Sequence, residues 1–417
     1  MKLRRVVVTG LGAVTPIGNT VEEYWDSLEK GVSGAQPITK FDASKFKTQF
    51  ACEVKGFNVN EYLDRKEARK MDLFCQYAMA VGDQAIKDSK LDLDAIDKSR
   101  VGVIWGAGIG GLTSLQKEVI DFANGDGTPR FNPFFIPKML VDLAPGHLAI
   151  KYGFSGPNFS TVSACASATN AFVDAFNYIR LGKADMFLAG GTEACVNESG
   201  IGGFNALKAL STRNDSPESA SRPFDQNRDG FVLGEGGGAL ILEELDHALA
   251  RGAKIYAEVM GGGMSCDAHH MTAPHPEGEG VVKVMQEALK DANMSPDEID
   301  YINVHGTSTP LGDVAELKGI QKVFGDHAYE MNISSTKSMT GHLLGAAGAI
   351  EALASIFALE RQTVPPTINN ETRDENIDPR FKLTLNKAEK REVNAVLSNT
   401  FGFGGHNFSI ILKKFAE

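Results

Sequence analysis

Seven short runs of the chain are built around consecutive apolar residues: RRVVVTG (4–10), RVGVIWGAG (100–108), ADMFLAGG (184–191), GGALILEE (237–244), IYAEVMGGG (255–263), DYINVHG (300–306) and NAVLSNT (394–400). Runs of this length without alternation predict strands buried on both faces. Amphipathic stretches with helical spacing separate them, so the pattern predicts an α/β fold. No linker rich in Pro, Ser or charge divides the chain.

The pattern also repeats. Residues 84–97 (QAIKDSKLDLDAID) and 287–300 (EALKDANMSPDEID) agree at six of fourteen positions, and each leads from a helix through a turn into a buried strand. Further on, STVSACASATNAFVDAFNYI leads to ADMFLAGG, and SSTKSMTGHLLGAAGAIEALASIFAL leads to NAVLSNT. Two similar α/β halves are expected, residues 1–253 and 254–417, with their corresponding loops converging where the halves meet.

Composition narrows the function. The net charge of −11 argues against nucleic acid as main partner. The five cysteines, Cys52, Cys75, Cys165, Cys195 and Cys266, lack CxxC spacing, which favours a reducing compartment, the cytoplasm, over a disulfide framework. MKLRRVVVTG is too short in its apolar run for a signal-peptide core, and no run is long enough to span a bilayer.

Two signals promise chemistry that their context does not support. GAGIGG (106–111) fits G-x-G-x-x-G after a strand, but the acidic residue that a dinucleotide site needs is missing downstream. CDAHHMTAPH (266–275) clusters three histidines and a thiol, but at no zinc-motif spacing; a polar loop lining a cleft is expected there, and no metal.

Three other segments carry the stronger case. TVSACASATN (161–170) places Cys165 at a strand-to-helix turn among small residues. There the positive end of the helix favours thiolate, although a lone cysteine is as readily a small buried hydrophobe. NVHGTSTPLGDVAE (303–316) offers His305 just after a buried strand, with the hydroxyls of Thr307 and Thr309 able to bind a polar chain. STKSMTGHLLGAAGAIEAL (335–353) offers Lys337 and His342 ahead of a glycine- and alanine-rich helix. Reactive groups at matched places in two halves are hard to explain as packing.

VSACASATNA, HGTSTPLGD and GHLLGAAG, with the closing NTFGFGGHN, resemble the β-ketoacyl-acyl carrier protein synthases, most closely the stand-alone type II condensing enzymes, over essentially the whole chain. The resemblance implies a thiolase-like five-layer αβαβα fold of two duplicated halves and a homodimer. It implies decarboxylative condensation of malonyl carrier protein with an acyl group held on Cys165. His305 and His342, as neutral imidazoles, would hold the enolate. A Cys-His-His set points to elongation, since Cys-His-Asn relatives prime from coenzyme A esters and thiolases carry a second cysteine.

The same resemblance implies further roles. The N–H groups of Cys165 and Phe403 would form the oxyanion hole, with Gly402, Gly404 and Gly405 allowing close approach. Lys337, Glu351 and Glu316 would lend electrostatic support. Thr272, Thr307 and Thr309 would contact the pantetheine arm, and Ile109, Phe204 and Phe403 would line the acyl pocket. Acyl carrier protein is the implied partner and brings the phosphopantetheine, so no separate cofactor is expected. Carrier docking would use Arg65, Lys66, Arg69 and Lys70, spaced as on one helix in DRKEARK (64–70), together with Arg130 and Lys138. His406 is given no role. Polyketide ketosynthases and type I synthases share these motifs; a non-catalytic chain-length partner would lack Cys165.

Overall fold

The computed structural model describes residues 3–416. Its main sheet has ten strands: β1 (Val6–Val14), β2 (Val101–Gly106), β3 (Asn158–Thr161), β4 (Met186–Glu193), β5 (Gly236–Glu244), β6 (Ala257–Cys266), β7 (Tyr301–Asn303), β8 (Asn332–Ser334), β9 (Ala395–Gly402) and β10 (His406–Lys413). Across the sheet they run β8-β7-β9-β10-β6-β1-β5-β4-β2-β3. Numbered within its own half, each set of five reads 3-2-4-5-1. The sense of pairing repeats as well. The pairs β1·β5 and β5·β4 are antiparallel, and β4·β2 and β2·β3 parallel. The pairs β6·β10 and β10·β9 are antiparallel, and β9·β7 and β7·β8 parallel. The halves join edge to edge where Val6, Val7 and Val8 pair with Val259, Glu258 and Ala257.

Five helices complete the layers: α1 (Leu73–Asp88), α2 (Ser167–Arg180), α3 (Glu279–Ala292), α4 (Gly312–Phe324) and α5 (Ala347–Arg361). One hydrophobic core lies between α1 and the first-half strands, and another between α3, α4 and the second-half strands. The largest fills the space around α2 and α5, which touch strands of both halves. The order is therefore helix, sheet, helix, sheet, helix. The central α5 shows what that position demands: residues 347–359 are all buried, so its sequence is apolar all round rather than amphipathic.

Glycine permits the outer packing in both halves. A Cβ at Gly10 would stand 2.3 Å from the Ala85 carbonyl oxygen of α1, and one at Gly263 would stand 2.0 Å from the Val284 carbonyl oxygen of α3. The echoing segments 84–97 and 287–300 are the ends of α1 and α3 with their turns into β2 and β7.

The strands β3, β8 and β10 are not announced by the apolar runs. Asn158–Thr161 and Asn332–Ser334 are short and polar, as edge strands tolerate, and β10 follows directly on the glycine turn of NTFGFGGHN. Among the described residues, no helix is long and apolar enough to cross a membrane.

Candidate active site

Loops from both halves enclose a cavity of about 610 Å³. Cys165, Ile109 and Phe204 line it from the first half, and His305, His342, Thr307, Thr309, Thr272, Glu316, Gly402 and Phe403 from the second. Lys337 and Glu351 lie behind the wall, bonded to each other and almost fully buried.

Cys165 sits in the turn Ala164–Ala166 that opens α2, after Ala164 at φ 51°. Left-handed backbone at alanine is strained, and it turns the next residue toward the cavity. The N–H groups of Phe403 and of Cys165 itself face the thiol. Gly402 makes that approach possible, since a Cβ there would lie 2.5 Å from the Ser163 carbonyl oxygen and 3.1 Å from the Cys165 nitrogen. The expectation that the helix start makes the resting sulfur a thiolate needs correction. Burial pushes the thiol up to about 12, against the pull of Lys337 and of the two N–H groups. The residue rests as a thiol.

His305 follows β7, and its ring meets that of His342 edge to face, with centroids 5.2 Å apart. Phe401 packs on His305 and Phe231 on His342, at 5.5 Å and 5.3 Å. Backbone bonds fix His342, whose N–H donates to the Val232 oxygen at 2.7 Å while its own carbonyl accepts from Gly234 at 2.9 Å. Desolvation, then the Lys337 charge, holds both imidazoles well below the usual histidine range, and His342 depresses His305 further. Both rings are neutral at pH 7, and the Nδ1 of each is buried without a partner.

Glu316 anchors this wall by accepting from the His305 and Gly306 N–H groups, each at 2.9 Å, and from Asn399 Nδ2 at 3.2 Å. Burial raises its carboxyl to about 7. Burial also raises Glu351, with Lys337 opposing. Thr307 and Thr309 hydroxyls stand 3.1 Å apart and bond each other, so they present a paired rather than a free donor set. Met271 and Leu311, 73% and 72% exposed, form an apolar rim at the mouth beside Thr272. The loop of His269, His270 and His275 makes this rim; Asp267 ties it down by accepting from Asn407 Nδ2 at 2.7 Å and the His275 N–H at 3.2 Å.

The basic run is not one helix face. Asp64 caps a single turn, Arg65–Ala68, and Asp72 caps the next helix, so the chain breaks between them. Arg65, Lys66 and Arg69 are exposed, whereas Lys70 turns back to Glu67 at 2.5 Å. Lys70 also lies 5.9 Å from the Phe134 ring, just ahead of the helix Phe135–Met139 that carries Lys138. Arg130 is exposed and pairs with Asp126. His406 opens β10 opposite Cys266.

The sequence reading missed two groups. Phe231 stands in GFVLGEGGG, where only its place between a glycine and a strand hinted at a site. Glu193 ends the apolar β4 as a wholly buried carboxylate, and the signal was an acid closing an otherwise apolar run.

Residues 3–248 match the N-terminal domain of β-ketoacyl synthases, and residues 256–371 match the C-terminal domain. The chain is 50% identical over 417 residues to 3-oxoacyl-[acyl-carrier-protein] synthase 2 of a Synechocystis strain, covering 100% of this chain and 99% of that protein. It is 50% identical over 414 residues to the enzyme of the same name from Coxiella burnetii, covering 99% of each. A solved β-ketoacyl synthase from Burkholderia phymatum superposes with a TM-score of 0.91 at 35% identity, covering 99% of this chain and 100% of that one. With both domain models matched in order and relatives aligned from end to end, the chain belongs to the β-ketoacyl synthase family.

Proposed function

We propose that this protein is a 3-oxoacyl-[acyl-carrier-protein] synthase that lengthens fatty acyl chains by two carbons. One observation carries the reading: a single cavity joins a thiol, two neutral imidazoles and the N–H groups that face the thiol, drawn from both halves. The seam between the catalytic halves is assigned at 253/254, between Leu245–Ala250 and β6.

In the first step Cys165 loses its proton and attacks the acyl thioester of the carrier, forming an acyl-enzyme and releasing the carrier thiol. The N–H groups of Cys165 and Phe403 stabilise the tetrahedral oxyanion. Malonyl carrier protein then enters, and its carboxylate leaves as CO₂. The electron pair left behind becomes an enolate, whose oxygen accepts hydrogen bonds from His305 and His342. With Nδ1 of each ring buried, Nε2 serves the ligand. The enolate carbon attacks the acyl-enzyme, and the Cys165 thiolate departs. Thr272, Thr307 and Thr309 hold the pantetheine arm along the mouth, and Ile109, Phe204 and Phe403 line the acyl path. Lys337, Glu351 and Glu316 support the charges from behind. The arm arrives on the carrier, so no separate cofactor is required.

The carrier docks on Arg65, Lys66, Arg69, Arg130 and Lys138, with Lys70 linking the two patches. Local positive charge there offsets a net charge of −11 at short range. A second copy covers the helix Leu112–Ala123, where Val119, Ile120 and Phe122 are 43–51% exposed. Five free cysteines, four of them buried, fit a cytoplasmic enzyme. Identity of 50% to the synthase 2 relatives favours fatty acid over polyketide elongation.

The test is condensation of acyl carrier proteins of several lengths with malonyl carrier protein, read by product mass. A 3-oxoacyl product two carbons longer, with one CO₂ released, is expected. Acyl transfer without chain growth would overturn the reading.

A further inference from the structure

The two halves place corresponding turns at the cavity, and one is filled by the protein itself. The turns Ala164–Ala166 and Leu344–Ala346 each open a central helix, after or at a residue with left-handed backbone (Ala164 φ 51°, Leu344 φ 48°). Cys165 thus corresponds to Gly345. The strands β4 and β9 hold the same place in their halves and are both eight residues long, so Glu193 corresponds to Gly402. In the nucleophile's turn, the N–H groups of Cys165 and Phe403 are left to face the thiol. In the other turn the Gly345 N–H is taken by Glu193 Oε2 at 3.0 Å.

The same carboxylate collects the loop that carries Ile109. Oε2 accepts from Gly108 at 2.7 Å and Oε1 from Gly110 at 2.9 Å, while Ile109 donates to Oε1 at 3.2 Å and Oε2 at 3.3 Å. Gly110 takes φ 79° to close this turn. Space around the carboxylate is tight: a Cβ at Gly345 would lie 2.8 Å from Oε2 and 2.2 Å from the Gly108 nitrogen. Ile109 and Leu344 both line the cavity, one from each half, on segments that touch at Gly108 and Gly345. The backbones of the two segments pack closely, and the hydrogen bonds that tie them together run through Glu193.

We propose that Glu193 is a positioning residue for acyl-chain selection, bolting the Ile109 loop to the Leu344–Ala346 turn and so fixing where Ile109 stands in the wall of the acyl path. The proposal rests on the reading of Ile109 as lining that path. Glu193 touches no substrate; it acts through Ile109.

The test uses Glu193→Gln, which keeps shape and removes acceptors. Whichever way the amide turns, its NH₂ faces at least two backbone N–H groups, since each carboxylate oxygen serves at least two. The assay is kcat/KM for condensation over a series of acyl lengths. The ratio of long-chain to short-chain kcat/KM is expected to rise at least about tenfold, the lower end of what one methylene of pocket fit is worth. The rise should vanish when Glu193→Gln is combined with Ile109→Ala. An equal loss at every length would make Glu193 structural only, and a shift that persists beside Ile109→Ala would show action through other residues; either overturns the proposal. Failure of the underlying reading looks different: Ile109→Ala alone would then keep the wild-type length profile. Should Glu193→Gln not fold, hydrogen exchange of the wild-type enzyme decides. Long-chain acylation of Cys165 is expected to change protection at 108–110 and 345 together, and independent change would overturn the bolt.

Discussion

Replacing Lys337 by Met separates the stabilising part of the buried ion pair from its electrostatic part. Lys337 Nζ donates to Glu351 Oε1 with side chains 2% and 1% exposed, and Glu351 Oε2 has no partner. Lys337→Met leaves a carboxylate uncompensated in the core, which costs about 3–5 kcal/mol. An unfolding entropy of about 2.1 cal/mol/K per residue gives about 0.9 kcal/mol/K over 417 residues, so Tm should fall by about 3–6 °C. Lys337→Met with Glu351→Met removes both charges and should recover most of that loss, since apolar replacement of a whole buried pair is commonly neutral or better. Chemistry should not recover. Lys337 pulls the Cys165 thiol down and holds His305 and His342 down, so without it the thiol rises and the imidazoles become more basic. Self-acylation should be slower in the single and double variants alike. The imidazoles then protonate at higher pH, and an imidazolium protonates the enolate it should only hold. The acid limb of malonyl decarboxylation should therefore move up in pH in both. Calorimetry, acyl-adduct mass and CO₂ release supply the three readouts. A double variant that regains wild-type acylation along with Tm would refute the electrostatic role, and a single variant with unchanged Tm would refute the buried pair.

Acylation should fall on Cys165 and not on Cys266, the one exposed cysteine, by peptide mass. With the thiol pushed up to about 12, its rate should climb about tenfold per pH unit from about pH 7 to 10; a plateau below about pH 9 would refute the buried-thiol account. His305→Ala and His342→Ala should each slow malonyl decarboxylation by roughly 10²-fold or more while self-acylation suffers less, and equal loss of both half-reactions would count against that division. Reversing Arg65 and Arg69 to Glu should raise KM for carrier-bound substrate and weaken its salt dependence, with little effect on a small pantetheine thioester; an unchanged KM would return these residues to plain surface.

What could be read from the sequence followed the physics of each feature. Strands buried on both faces leave an unbroken apolar run, so β1, β2 and β4 were legible. The strands β3 and β8 sit at the two ends of the sheet, where half of the backbone groups go unpaired and polar residues are tolerated, and they left no such run. The duplication showed in 84–97 and 287–300 because helix ends and turns depend on particular residues. It faded elsewhere because strand order constrains only polarity. Cys165, His305 and His342 stood out as reactive side chains next to glycine and alanine. Glu193 did not, because an acid that closes an apolar run marks a strand end facing water as readily as a buried carboxylate that takes four backbone N–H groups. The basic run misled for a related reason: spacing suggests a helix, but Asp64 and Asp72 both compete as caps and the chain takes two starts.

Burial acts on the reactive groups in one direction. It raises the Cys165 thiol, lowers His305 and His342, and brings Glu316 to about 7. The resting cavity therefore holds a neutral thiol and two neutral rings, with the Lys337 ammonium behind the wall. In the proposed mechanism new charge then forms beside these groups with substrate, first on the sulfur, then on the acyl oxyanion, then on the enolate. Donors already aimed at those positions need no reorganisation when the charge forms. Duplication supplies the means. Each half offers a turn with a helix start behind it and a strand end beside it. The first turn leaves N–H groups facing the thiol, where the proposed mechanism uses them for a transient oxyanion, while the second gives its own to the carboxylate of Glu193. On the proposed reading, two related turns come to different ends, one left open for chemistry and one closed to hold the adjoining Ile109 loop.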